Sequence, residues 1–169
     1  MAGHSKLSGN LPCGLPPVTG AEPSVLILGS FPSVLSLEKQ EYYGNLRNRF
    51  WAVMEELFGV PASLPYPERQ AKLTQHCVAL WDVIRTCVRP GSADSRIRQP
   101  VPNDIACFVR AHPSVRLVAL NGRTAGSCYH RFAEVPGLPS VILPSTSPAN
   151  ARVSYEDTVQ AWERVLGIA

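Results

Sequence analysis

The sequence predicts an α/β fold, in which a four-stranded parallel sheet is flanked by helices in a single three-layer domain. Two observations predict this fold. Four short apolar runs lack the polar alternation of a half-exposed strand, and such runs are typical of strands buried on both faces of a sheet. Helical patterns separate these runs along the chain, as the connections between parallel strands require.

The four predicted strands are widely spaced along the chain. The first is SVLILG, which ends in Gly29. The runs cover residues 24–29, 77–84, 115–122 and 140–145. Residues 1–22 are rich in Gly, Pro and Ser without periodicity, so we predict a poorly ordered tail there. The domain is therefore expected to span residues 23–169, a length that suits one globular domain.

The predicted helices have recognisable ends. The helix over residues 49–59 carries an apolar stripe and ends at Gly59, a residue favoured just after helix C-termini. Asn103 is the expected N-cap of the helix after the second strand, and another helix follows the third strand directly. The last helix is expected to start at Ser154, with Asp157 three residues on in a capping-box arrangement.

Composition excludes several classes of protein. The net charge is +3 and the basic residues are mostly arginine, which mildly favours anionic partners, although a solvated basic surface explains it equally well. Five cysteines without a C-x-x-C pair argue for reduced thiols in an intracellular protein and against a metal site. Without a long apolar run or a signal-like N-terminus, we expect neither membrane spanning nor secretion.

The loops after the four strands have the most unusual composition. In open parallel sheets, ligands bind outside the carboxyl ends of the strands, so the position and the composition of these loops select the same edge. The loops contain GSFPS…NRFW (29–51), WDVIRTCVRPGSADS (81–95), NGRTA (121–125) and PSTSPANAR (144–152).

Several familiar catalytic motifs are absent from the sequence. It contains neither G-x-x-x-x-G-K-[ST] nor G-x-G-x-x-G, so it does not support an NTPase or a dinucleotide enzyme. The nucleophile elbow G-x-S-x-G is also missing. A serine hydrolase remains an alternative only if the fold joins Ser33 or Ser36 to one of His76, His112 and His130.

Five motifs at the strand ends carry a resemblance to a known family. They are LGSFPS, YYGNLRNRFW, WDVI with the later GSADS, NG with a nearby alanine, and LPSTSPANA. In this order they resemble the hypoxanthine-DNA glycosylase branch of the uracil-DNA glycosylase superfamily, from about Ser24 to the end. The resemblance implies an enzyme that flips a deaminated base out of DNA and hydrolyses its N-glycosidic bond.

The resemblance also points to a catalytic residue. Other branches have Gly-x-Asp-Pro or Gly-x-Asn-Pro in the first motif, whereas this chain has Gly29, Ser30, Phe31 and Pro32. A benzene ring cannot orient water, and the resemblance implies that Asn48 of NRFW does so instead. An amide can only hydrogen-bond and orient, which suffices if the base leaves first. The alternative role of Asn48 is to cap the helix that follows.

The base pocket implied by the resemblance combines the first motif with two further side chains. Phe50 would stack on the extruded base, and backbone amides near Ser30 would bind its edge. Asp82 lies where relatives place an asparagine that reads the base. Its carboxylate would accept N1–H of hypoxanthine or N3–H of uracil, so it does not choose between them. The alternatives are core packing for Phe50 and a turn cap for Asp82.

The loop after the fourth strand resembles the one that grips the DNA backbone in this superfamily. The implied DNA contacts are Ser33, Ser36, Ser145, Thr146, Ser147, Pro148, Ala149, Asn150 and Arg152. Some relatives insert a leucine from this loop, whereas Ala149 is too small to fill a base-sized hole and Arg152 is a candidate to compensate. The branch more often has His-Pro at Asn45 and Leu46, so we expect a looser loop here.

We therefore predict a monofunctional glycosylase without metal or cofactor, acting intracellularly as a monomer on DNA that contains deaminated bases. A lyase is not expected, because a Schiff base needs an amine and Lys39 is the single lysine in the four loops, on their periphery. The alternatives are a uracil or mismatch glycosylase of the same fold and a catalytically silent nucleic-acid-binding module.

Overall fold

The computed structural model describes residues 11–166, and it confirms the predicted α/β fold. The strands are β1 (Val25–Gly29), β2 (Val78–Asp82), β3 (Ile84–Val88), β4 (Arg98–Pro102), β5 (Leu117–Asn121) and β6 (Ser140–Leu143). The helices are α1 (Val34–Lys39), α2 (Phe50–Phe58), α3 (Tyr66–Gln75), α4 (Ile105–Ala111), α5 (Arg123–Cys128) and α6 (Tyr155–Leu166). Within this part of the chain, no helix is long and apolar enough to cross a bilayer.

The central sheet is parallel and has the order β2-β1-β5-β6. All five residues of β1 are buried, as expected for a strand in the middle of a covered sheet. One apolar cluster contains Phe50 and Trp162, and a second contains Phe108 and Tyr129. The sheet therefore lies between two packed layers, and its strand ends meet at one edge.

The second predicted strand is wrong in length. The apolar run 77–84 leaves the central sheet after Asp82, and Ile84 begins β3, which pairs with β4 in an antiparallel hairpin. Val83 N still donates to Gly29 O at 2.9 Å, and both Val83 and Ile84 are buried. Because the side chains stay buried through the bend, an apolar run cannot reveal where the strand leaves the sheet.

The helix ends agree with prediction at two points and differ at one. Gly59 ends α2 with a left-handed φ of 64°, and Ser154 Oγ accepts a hydrogen bond from Asp157 N at 3.1 Å. Asn103 is not the cap of α4, because Asp104 takes that position and accepts from Cys107 N. The Asn103 side chain instead donates to the backbone carbonyl of Asp82 at 2.8 Å.

The N-terminal segment differs from the expected tail over the part that is described. Residues 1–10 lie outside the described residues, but Val18 forms a β-bridge with Leu80 and Leu15 is only 5% exposed. Tyr42 Oη lies within hydrogen-bond distance of the carbonyls of Leu15 and Pro16, at 3.1 and 2.9 Å. Prolines and glycines carry no periodicity, so this packed segment reads as a tail in the sequence.

Candidate active site

The edge formed by the carboxyl ends of β1 and β2 brings together the first motif and Asp82. Gly29 is paired in register with Asp82. A Cβ at position 29 would lie 2.5 Å from Asp82 Oδ1 and 3.4 Å from Tyr43 Oη. Glycine is therefore the residue that lets the carboxyl and the phenol approach this strand end.

The Asp82 carboxyl is buried without a partner for one of its oxygens. The residue is 5% exposed, and Oδ2 makes no hydrogen bond to any described residue. Burial above all, and then the Asp94 carboxylate, raise the pKa of Asp82 to about 7, against the opposing effect of Arg89. Buried polar groups are normally paired, so this oxygen marks a place for a ligand.

Tyr43 is a site residue that we did not predict. Its ring stacks on Phe50 with centroids 4.0 Å apart and planes 21° apart, and its hydroxyl accepts from Asn121 Nδ2 at 3.1 Å. Burial and the negative charge of Asp82 raise the pKa of Tyr43, so the phenol stays neutral. Tyr43 has a left-handed φ of 55°, which a tyrosine rarely adopts. The YYG motif was the available signal.

Phe50 does not lie where the predicted stacking ring should be. It is 0% exposed, and besides Tyr43 its ring meets Trp51 at 5.1 Å and Trp162 at 6.2 Å, both edge-on. The alternative of core packing therefore describes Phe50. Tyr43 covers one face of this buried ring, and its hydroxyl lies at the Gly29 strand end beside the Asp82 carboxyl.

Asn48 stands at the start of α2 and its side chain is held in place. Oδ1 accepts a hydrogen bond from Phe50 N at 2.9 Å, which satisfies one of the free amides of the helix start. Formally the cap position belongs to Arg49, whose side chain makes no capping bond. Among the described residues, Asn48 Nδ2 has no partner, and Oδ1 keeps a second lone pair. The capping alternative and an orienting role are therefore compatible.

The loop before Asn48 is tighter than we expected from the loss of proline. Asn45 Oδ1 accepts from Arg47 N at 3.0 Å, and the Asn45 carbonyl accepts from Asn48 N at 2.9 Å. These two bonds close a turn, so the Asn45 side chain restrains the loop backbone where the branch more often has a proline. At its base, the carbonyl of Gly44 accepts from Lys39 Nζ at 3.0 Å.

The GSADS segment supports the first motif from a distance of 64 residues in the chain. Ser30 Oγ donates to the carboxylate of Asp94, 2.9 Å from each oxygen. Arg89 Nη2 donates to the Pro32 carbonyl at 2.6 Å, and its guanidinium lies 5.0 Å from the centre of the Phe31 ring. Phe31 is 7% exposed and belongs to the second core cluster, so its ring holds the motif in place rather than facing a base.

Two predicted DNA contacts in the first loop have structural roles in the free protein. Ser36 is 3% exposed, and its hydroxyl accepts from Ser33 Oγ at 3.1 Å and from Gly44 N at 3.0 Å. Ser33 Oγ accepts from Ser36 N and caps α1. Ser36 therefore braces the loop that carries Tyr43 and Asn48 and does not reach a phosphate.

The loop after β6 is tied to the rest of the site through Thr146. Its side chain is 0% exposed, so it is not the DNA contact that we predicted. Thr146 exchanges hydrogen bonds with the Asn121 side chain at 3.0 Å, and its carbonyl accepts from Arg49 N at 3.0 Å. Gly122 permits this approach, since a Cβ there would lie 2.9 Å from Ser145 Cβ.

The serine hydroxyls of this loop organise its own backbone. Ser145 Oγ accepts from Ser147 N at 3.1 Å, and Ser147 Oγ accepts from Ala149 N at 3.2 Å. Asn150 Nδ2 donates to the Ser145 carbonyl at 3.1 Å. Pro148 and Ala149 form the tip of the loop and are exposed. Arg152, which follows the tip, is exposed too. The loop is therefore a rigid projection beside the helix start that holds Asn48.

The serine hydrolase alternative finds no support in the structure. Within residues 11–166, no serine hydroxyl is hydrogen-bonded to a histidine ring. His112 Nδ1 lies 2.9 Å from the Phe108 carbonyl, and His130 pairs with Glu134 at 3.3 Å. His112 and His130 therefore contact groups four residues away in their own segments of the chain.

A cavity of about 460 Å³ lies outside this edge, between the N-terminal segment and α3. Its titratable lining groups are Tyr42 and Tyr66. Both hydroxyls have partners already, since Tyr66 Oη accepts from Tyr42 N at 3.0 Å. The convergent polar groups of the protein are therefore at the strand ends and not in this cavity.

Comparisons with known proteins agree with the fold. Residues 16–166 match the family model of the uracil DNA glycosylase superfamily. A protein of Methanosarcina acetivorans named hypoxanthine DNA glycosylase is 37% identical over 154 residues, covering 90% of this chain and 96% of its own. One of the same name from Methanosarcina barkeri is 34% identical over 150 residues, covering 88% and 94%.

A solved structure gives the same result in three dimensions. It is a solution NMR structure of a Methanosarcina acetivorans protein named as a candidate uracil DNA glycosylase, with a TM-score of 0.82 and 35% identity. The superposition covers 94% of this chain and 98% of the other. A matching family model over most of the chain and relatives of this identity lead to one conclusion: the chain belongs to the uracil DNA glycosylase superfamily.

Proposed function

We propose that this protein is a monofunctional DNA glycosylase that excises hypoxanthine from deoxyinosine in base excision repair. The observation that carries the proposal is the buried Asp82 carboxyl, whose Oδ2 has no partner among the described residues, beside Gly29 and the Tyr43 hydroxyl. The names of the two Methanosarcina relatives support the same activity. We also propose that it acts as a monomer on the DNA of the cell.

Asp82 is suited to read a lactam edge when it is protonated. Hypoxanthine presents an N1–H donor next to an O6 acceptor. A neutral carboxyl accepts N1–H with its carbonyl oxygen and donates its own proton to O6, as the asparagine of relatives would do with its amide. Uracil presents the same pair at N3–H and O4, so it is the nearest alternative substrate.

The reaction needs charge stabilisation more than it needs a strong base. As the glycosidic bond breaks, positive charge develops on the sugar and negative charge on the departing purine. A neutral Asp82 donates a hydrogen bond to that developing anion, whereas an ionised one would oppose it. Asn48 Oδ1 accepts a hydrogen bond from water through its free lone pair, and this water attacks C1′. Its hydroxyl stays on the sugar, and its other proton passes through solvent to the departing purine anion, which leaves as the neutral base.

Tyr43 and the loop after β6 would hold the substrate. Tyr43, supported from behind by Phe50, offers the ring on which a flipped base stacks. The backbone amides of residues 145–150 and the exposed Arg152 are suited to phosphates, which position the duplex without reading its sequence. We keep Ser145, Ser147, Pro148, Ala149 and Asn150 as proposed DNA contacts of this loop.

Incubation with labelled DNA tests the proposed activity directly. The substrates are matched duplexes that contain inosine, uracil, xanthine or only normal bases, followed by alkali to cleave abasic sites. We expect strand breaks with inosine, weaker or no breaks with uracil, and none with normal DNA. Intact DNA binding without breaks on any duplex would favour the silent nucleic-acid-binding module instead.

The pH dependence of excision should report the protonation of Asp82. We expect the single-turnover rate to hold below pH 7 and to fall about tenfold per pH unit above it, as one proton is lost from a group with a pKa of about 7. The charged groups that act on this carboxyl are Asp94 and Arg89. Asp82→Asn, a permanently neutral donor and acceptor, should keep its rate between pH 7 and pH 9.

The pH dependence of thermal stability is a separate check that Asp82 is the group that titrates. A carboxyl whose pKa is raised by folding contributes stability that is complete below its ordinary pKa and is lost as pH rises through about 7. Asp82→Asn should therefore raise the thermal midpoint more at pH 8 than at pH 5. A rate that instead rises through pH 7 in the wild type would show that the ionised carboxylate reads the base.

A further inference from the structure

Leu46 is unusually exposed for a large apolar side chain. It is 95% exposed, whereas the other exposed large hydrophobic residues within residues 11–166 range from 36% to 47%. Isolated surface leucines are common, but they normally keep part of the side chain against a neighbour. A leucine that contacts almost nothing in the free protein has its whole side chain available for a partner.

The backbone under Leu46 is fixed. Leu46 occupies the tip of the turn closed by the two hydrogen bonds from Arg47 N and Asn48 N to Asn45, at 3.0 and 2.9 Å. At the base of the turn, the Gly44 carbonyl accepts from Lys39 Nζ and the Gly44 N–H donates to Ser36 Oγ. The side chain therefore projects from a rigid support, which lowers the entropy lost when it contacts a partner.

The turn lies next to the proposed site and to the loop after β6. Asn48 is two residues away, and Arg49 N binds the Thr146 carbonyl at 3.0 Å. Arg47, beside Leu46, is also exposed and carries a positive charge. The tip of the neighbouring loop offers only Pro148 and Ala149, and Leu46 is the most exposed large apolar side chain among the described residues.

We propose that Leu46 inserts into the DNA duplex and fills the space that the extruded nucleotide leaves. This inference rests on the proposed glycosylase function and names the residue that makes base flipping in a duplex efficient. Apolar side chains such as leucine act as wedges between base steps in DNA-bending proteins. Inside the stack, Leu46 would bury the surface that the free protein leaves in water, and this offsets the unstacking of the target base. Arg47 would hold the adjacent phosphate.

Comparison of duplex and single-stranded substrates tests the inference. We expect Leu46→Ala to lower single-turnover excision of inosine from a duplex about tenfold or more, and to change excision from a single strand far less, because a single strand has no stack to fill. Leu46→Met should keep most of the duplex rate. The matched control is Leu11→Ala, the same change at another exposed leucine, in the segment that pairs with β2 and β3.

A fluorescence measurement separates failure of this inference from failure of the proposed function. A 2-aminopurine placed beside the target base brightens when the stack opens, whether or not the bond is cut. If the wild type opens the duplex and Leu46→Ala does not, Leu46 is the wedge even in a protein that cleaves nothing. Equal brightening by both proteins, or equal loss of rate on both substrates, would overturn the assignment.

Discussion

Asn48→Ala is expected to lower the rate of inosine excision about 10²–10³-fold, the loss typical when one preorganised polar group is removed from a reacting centre. DNA affinity should stay nearly unchanged, because Asn48 is only partly exposed and its proposed contact is with the attacking water rather than with the DNA. Single-turnover excision and a binding titration on the same duplex measure the two quantities.

Two further substitutions separate orientation of water from helix capping. Loss of the cap alone should cost about 1 kcal/mol of stability in Asn48→Ala. Asn48→Ser restores a capping oxygen but is too short to reach a water at the sugar, so it should recover the thermal midpoint and stay slow. Asn48→Asp keeps the acceptor and its reach, so it should recover both stability and most of the rate.

The opposite pattern would remove Asn48 from the reaction. If Asn48→Ser recovered the rate along with the stability, the side chain would be needed only to start α2. Unchanged excision in Asn48→Ala, at a temperature where the variant is folded, would have the same meaning. Either result would direct attention to Asp94, the carboxylate bound to Ser30 in the first motif.

The sheet was predictable because a strand that is buried on both faces is apolar along its whole length, and each strand shows this independently of the others. VLILG is buried at every position, and nothing outside the run is needed to recognise it. The hairpin of β3 and β4 was not predictable, because Ile84 belongs to an apolar run whether it continues in the sheet or leaves it. The packed segment around Leu15 depends on Tyr42, which is far away in the chain.

The site was predictable only in part, for a related reason. The motifs selected loops that the structure brings together at one edge of the sheet. The resemblance selected Asn48 and Asp82, whose side chains keep polar atoms without a partner among the described residues. Which hydroxyls face outward depends on long-range contacts, so Ser36 and Thr146 were assigned to DNA although both are buried. The bond between Ser30 and Asp94 likewise spans 64 residues and has no local pattern.

Helical periodicity predicts that Phe50 is buried, but it does not predict the orientation of Tyr43. Phe50 lies on the apolar stripe of α2, and its 0% exposure is what such a stripe predicts. Tyr43 is in a loop, where its direction depends on a left-handed backbone that tyrosine rarely adopts. We therefore propose that the stacking role belongs to Tyr43 in the loop rather than to Phe50 in the helix, and this proposal has a direct test.

Leucine substitutions of Tyr43 and Phe50 are expected to affect different properties. Tyr43→Leu should mainly lower the excision rate, and Phe50→Leu should mainly lower the stability. Tyr43→Leu should lower single-turnover excision about 5- to 150-fold, because stacking of a base on an aromatic ring contributes about 1–3 kcal/mol. Its thermal midpoint should fall less than that of Phe50→Leu, since Tyr43 is partly buried whereas Phe50 is fully buried. Tyr43→Phe keeps the ring and removes only the bond from Asn121, so it should retain most of the rate.

Phe50→Leu should instead reduce stability and leave the chemistry nearly intact. Its ring is enclosed by Tyr43, Trp51 and Trp162, and the smaller side chain leaves a gap that costs about 1–3 kcal/mol, or about 2–10 °C in the thermal midpoint. Excision measured well below that midpoint should remain within a few-fold of the wild type. A large loss of rate in Phe50→Leu with none in Tyr43→Leu would return the stacking role to Phe50, and would require Tyr43 to swing away from it when DNA binds.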